Sequence, residues 1–131
     1  MLHLDSDQIG NFTNLVTIHS ILDRMLSVLV VVAIARGAPS ASPPIEQLLQ
    51  TLADLGFAKR VELAEVMGLV SVDTAGDLRE VNRVRNKVVH WKPAQGFGLD
   101  AVEEMTSRES FKQLAVRAAR AIVAISKALP S

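Results

Sequence analysis

The chain has 131 residues, no cysteine, and a hydrophobic fraction of 49%. That length suits one domain, at roughly 100–200 residues per domain, and the hydrophobic fraction excludes a disordered chain. Without cysteine there is no thiol nucleophile, disulfide framework or cysteine zinc site. With 14 Lys/Arg against 14 Asp/Glu, binding to nucleic acid by bulk charge alone is excluded too.

The charge is unevenly placed. Residues 1–78 hold four Lys/Arg and nine Asp/Glu, whereas residues 79–131 hold ten and five. Such a split marks one face for an anionic ligand, or it reflects opposite charges spread around one bundle. No targeting or membrane segment is expected. Asp5 and Asp7 stand where a signal peptide carries positive charge. The apolar run Met25–Ala35 is eleven residues long, short of the about 20 needed to cross a hydrocarbon core. A cytoplasmic chain is the expectation.

Helical periodicity dominates. The first helix is predicted from Asp7 to Arg36, with Phe12, Leu15, Val16, Ile18, Leu22, Met25, Leu26, Leu29 and Ala33 inward. Gly37 and Pro39 stop it. The segment GAPSASPP is the clearest loop. A second helix starts near Pro43-Pro44, carries Ile45, Leu48, Leu49, Leu52 and Leu55 on one stripe, and closes at Gly56. A third runs from Phe57 to Met67, with Val61, Leu63, Ala64 and either Val66 or Met67 inward, and closes at Gly68.

The fourth helix is predicted from Thr74 to Trp91, with Leu78, Val81, Val84, Val88 and Trp91 as its apolar stripe. Pro93 ends it. After a Gly-containing loop, Asp100–Met105 is read as a short helical piece. The last helix opens on a capping box of Thr106 and Glu109 and continues through Phe111, Leu114, Ala115, Ala118, Ile122, Ile125 and Leu129. The fold expectation is all-α: one domain over residues 1–131, an up-and-down bundle of four to five helices.

The usual catalytic motifs are missing, including the G-x-S-x-G elbow and the phosphate-binding loop. His3, His19 and His90 are too scattered for metal ligation, so no metal or other cofactor is expected. His19 lies in an apolar helix and reads as a hydrogen-bonded core residue. The fourth helix carries the one chemical constellation. Arg79, Asn82, Arg83, Asn86 and His90 share a face at about 100° per residue, with Arg85 on its seam. Five Lys/Arg and one Glu lie between Arg79 and Lys92.

The segment Arg85-Asn86-Lys87-Val88-Val89-His90 resembles the R-N-x-x-x-H signature of the HEPN superfamily, many of whose members are metal-independent ribonucleases. Residues 57–64, 67–71, 78–81 and 84–87 are similar to the mannitol operon repressor branch, which has a Gly-Leu-Ile-Ser-like joint before an I-R-N-x-x-A-H helix. Val89 stands where that branch commonly has a small residue. The resemblance implies a HEPN-like bundle and a homodimer that joins two helix-four ends into a composite site.

Those residues suit RNA cleavage by the neighbouring 2′-hydroxyl. His90 titrates near neutral pH and is the candidate base. Arg85 would hold the non-bridging phosphate oxygens, and Asn86 would orient the imidazole or bond the phosphate. Arg79, Asn82, Arg83 and Lys87 are the candidate RNA-binding residues. Three functions stay open: an endoribonuclease, of the kind that serves as a toxin with an antitoxin partner; a non-catalytic regulator acting through RNA or a protein; and a bare helical bundle.

Overall fold

A computed structural model describes residues 6–37, 45–89 and 107–130. Among these residues there are five helices and no strand: α1 (Ser6–Gly37), α2 (Ile45–Leu55), α3 (Phe57–Val66), α4 (Val72–Val89) and α5 (Arg108–Ala128). The protein is an all-α helical bundle. The expected piece at Asp100–Met105 and the residues His3, His90, Trp91 and Thr106 lie outside the described set, as do the side chains of Phe12, Ile45 and Leu48.

Helix α1 is the axis of the bundle, packed by all four other helices. Leu15, Leu22, Leu26 and Leu29 are buried, as the periodicity predicts, and so are Val30 and Val31. A helix with neighbours on several sides is apolar beyond one stripe, which explains the unbroken aliphatic run at residues 28–32. As a whole, Thr13–Gly37 is long and apolar enough to cross a membrane. The uninterrupted run of eleven residues understated this, because a helix tolerates Asp23 and Arg24 in its middle. In the bundle this apolar length supplies the core: Leu22, Leu26 and Val30 are 0% exposed.

Helices α4 and α5 cover α1 and each other. Leu78, Val81, Val84 and Val88 of α4 are buried, as are Leu114, Ala118, Ala121 and Ile125 of α5. Ala121 was absent from the expected stripe, and Ala115 and Ile122 are only partly buried. Helix α2 lies at the edge, against α1 and α3. Of its expected stripe, Leu52 is buried while Leu49 and Leu55 are exposed. In α3 the buried residues are Phe57, Arg60, Val61 and Ala64, and Val66 and Met67 face solvent.

The boundaries have local causes. Gly68, at φ +74°, closes α3 as expected. Leu69 N–H bonds the Ala64 carbonyl at 2.9 Å and Gly68 N–H bonds the Glu65 carbonyl at 3.0 Å, a paired closure that needs a left-handed residue. Helix α4 starts two residues earlier than expected, because the Ser71 hydroxyl accepts the Thr74 amide at 3.1 Å. Helix α5 is capped by Ser107, whose hydroxyl accepts the Ser110 amide at 3.3 Å. The expected box on Thr106 was therefore placed one residue too early.

The acidic and basic parts of the sequence meet in space. Buried Asp77 accepts from Arg117 Nε at 2.8 Å and from Arg120 Nη2 at 2.9 Å, and Arg79 pairs with Glu65 at 2.9 Å. These pairs fit the reading of opposite charges spread around one bundle.

Gly68→Ala should destabilise the protein by about 1–2 kcal/mol, the cost of a left-handed conformation in a residue with a β-carbon. Its added carbon meets nothing within 4 Å, so backbone strain is the whole effect. Thermal denaturation reads it, and an unchanged melting temperature would refute this account of the α3–α4 joint.

Candidate functional site

The α4 constellation divides once its partners are seen. Arg83 donates to Glu80 through Nε at 3.0 Å, and these bonds hold the Glu80 carboxyl below its ordinary value. Arg79 is held by Glu65. Lys87 is exposed. Arg85 and Lys87 have no carboxylate partner among the described residues. Arg85 Nη1 donates to Asn86 Oδ1 at 3.1 Å, and its buried Nε has no hydrogen-bond partner. The seam position read from the helical wheel explains both its partial burial and its lack of a counter-ion.

Asn82 does not simply face solvent. Its Oδ1 lies 2.9 Å from His19 Nε2 on α1, tying α4 to the central helix. His19 is the hydrogen-bonded core residue expected from the sequence, 7% exposed. Its ring lies 4.5 Å from that of Phe57, centroid to centroid, at an interplanar angle of 41°. Burial pushes its pKa below the ordinary value; the bond with Asn82 opposes this, and the charge of Arg85 adds to it. The imidazole is therefore neutral at pH 7. With an amide oxygen as acceptor, its proton sits on Nε2 and Nδ1 is the basic nitrogen.

Arg85, Asn86, Asn82 and His19 line one cavity of about 390 Å³. Its opposite wall is the start of α3, at Phe57, Ala58 and Lys59, with Arg60 and Asp23 at the side. Arg60 is buried and fully engaged. Its Nη2 meets Asp23 at 2.6 Å, Nη1 donates to Ser27 Oγ at 2.8 Å, and Nε donates to the Gly56 carbonyl at 3.1 Å.

The cavity thus brings together three of the sequence candidates, Asn82, Arg85 and Asn86. Arg79, Arg83 and Lys87 are not among its lining residues, and His90 lies outside the described set. Sequence reasoning missed His19 as a member of this cluster. Its core position is legible from the helix pattern, but 63 residues separate His19 from its partner Asn82. No sequence spacing signals that approach. Among the described residues, no three His, Asp or Glu side chains gather as metal ligands. Comparison with family models, curated proteins and solved structures finds no match to this chain.

His19 makes stability pH-dependent. The unfolded chain protonates this histidine near its ordinary value of 6.5, while the folded chain resists protonation. The unfolded state then binds more protons, so stability is full above that value and falls on acidification toward the lower folded-state value. Denaturant titrations from about pH 7.5 to about pH 5 should show a smaller loss in His19→Gln than in the parent. Equal losses would refute a neutral buried His19.

Proposed function

We propose that the chain is a metal-independent endoribonuclease of the HEPN kind that acts on RNA in the cytoplasm as a homodimer joined through the α4 face. The observation that carries this reading is Arg85. It is a cation with no carboxylate partner among the described residues, it sits beside Asn86, and both line an open cavity. A guanidinium left free of its own carboxylates is available for phosphate oxygens.

In the proposed reaction a histidine takes the proton from a ribose 2′-hydroxyl. The 2′-oxygen bonds to the adjacent phosphorus, the bond from phosphorus to the 5′-oxygen breaks, and a second imidazole, protonated, gives its proton to that oxygen. The products are a 2′,3′-cyclic phosphate and a 5′-hydroxyl. Arg85 would stabilise the charge gathering on the non-bridging oxygens. His90 is assigned the proton transfers. A twofold dimer supplies the second copy, because an isologous interface repeats each residue across its axis.

A non-catalytic regulator that binds RNA or a protein partner is the second reading. The ion pairs that occupy Arg79 and Arg83 favour it, since they thin the basic track along α4.

The purified protein should cut single-stranded RNA in the presence of a chelator and leave cyclic phosphate ends. Arg85→Ala and His90→Ala should each lower the rate by about 100-fold or more, the usual range for such groups. Lys112→Ala, exposed on α5, should cut like the parent. Cleavage that persists in both site variants, or RNA retained without cutting by the parent, would remove the nuclease reading.

A further inference from the structure

We propose that the cavity between α1, α4 and the start of α3 seats one phosphate group of single-stranded RNA. The inference rests on the RNA reading above and adds a binding wall that the α4 motif does not contain.

Helix α3 begins without a capping side chain. Its N-cap is Gly56, at φ +79° and ψ 162°, and no side chain accepts its first-turn amides. The first amides of a helix have no intrahelical acceptor, and they carry the positive end of its dipole. Phe57, Ala58 and Lys59, which own these amides, line the cavity. Arg85 lies in the same cavity; among the described residues its guanidinium has no carboxylate partner and its buried Nε no hydrogen-bond partner. A buried donor without an acceptor needs an explanation; a seated anion, with a small shift of the side chain, provides one.

The charge balance of the lining residues agrees. Asp23 is the one carboxylate among them; Arg60 Nη2 lies 2.6 Å from its Oδ1 as an ion pair that offsets its charge, although that buried oxygen makes no well-aligned hydrogen bond. Lys59 pairs at the surface with Glu62 at 3.3 Å. Arg85 and the helix start therefore leave the cavity net positive. His19 is neutral and held by Asn82, so it adds hydrogen-bonding capacity without repelling an anion. A volume of about 390 Å³ lies within the roughly 300–1,000 Å³ of small-ligand pockets, enough for a phosphate and part of its ribose.

The test uses the whole chain in solution, with amide signals followed by NMR. Inorganic phosphate, a nucleoside monophosphate and a short RNA protected from cleavage by 2′-O-methyl groups are titrated separately, against chloride at equal ionic strength. Phosphate should shift the amides of residues 57–59 and the Arg85 Nε–H saturably, and chloride should not. The RNA should bind at least tenfold tighter than the monophosphate; equal affinity would overturn RNA as the source of the phosphate.

Ala58→Asp puts a carboxylate in the first turn of α3, where it favours the helix and repels an anion. It should keep or raise the melting temperature and weaken phosphate at least tenfold. Arg85→Gln should weaken phosphate similarly, and Lys112→Gln less than twofold. Unmoved amides, or unchanged phosphate affinity in a folded Ala58→Asp protein, would overturn the cavity proposal even where RNA is still cut. Phosphate and RNA seated here with no cutting would uphold the cavity and remove the nuclease reading instead.

Discussion

The start of α3 is held against the central helix by one buried cation. Arg60 loses its water inside the bundle, and an unpaired guanidinium there would cost several kcal/mol. Asp23 and Ser27 of α1 and the Gly56 carbonyl together satisfy it. These bonds bring α1 and the α2–α3 joint into fixed register. The cavity exists because of that register. Its α3 wall is tied to α1 through Arg60, while α3 also packs directly on α4 and is linked to it by the Glu65–Arg79 pair.

The electrostatics of α4 follow from a similar economy. Two of the four cations along the helix, Arg79 and Arg83, are consumed by the fold. Glu80 takes Arg83 and Glu65 takes Arg79, while Asp77 on the same helix binds two arginines of α5. A surface ion pair of this sort contributes little to stability, but it removes a cation from ligand binding. The positive field is therefore narrower than the count of basic residues suggests. Arg85 differs from Arg79 and Arg83 in that its seam position leaves it partly buried, bonded to the Asn86 amide and not to a carboxylate among the described residues.

Helix α1 links these features. Its apolar length would serve a membrane span equally well, yet Leu22, Leu26 and Val30 are spent on contacts within the bundle. The same helix presents Asp23, Ser27 and His19 toward α3 and α4. It is at once the centre of the core and the back wall of the cavity, so the site cannot be moved without disturbing the packing.

Periodicity and punctuation by themselves determined that this is an all-α bundle, roughly where its helices begin and end, and that Arg85 falls on the seam of α4. These are local properties: a 3.6-residue repeat, a left-handed glycine at position 68 and a helical seam at 85 are all written within a few residues. Caps were misjudged by one or two positions at Ser71 and Ser107, because several hydroxyls near each start could serve and only the folded backbone chooses. Which cations keep their charge for a ligand, and that His19 and the open start of α3 join Arg85 around one cavity, was decided by tertiary structure alone. Those contacts join residues tens of positions apart, and a hydrogen bond across such a distance has no signature in the order of the residues.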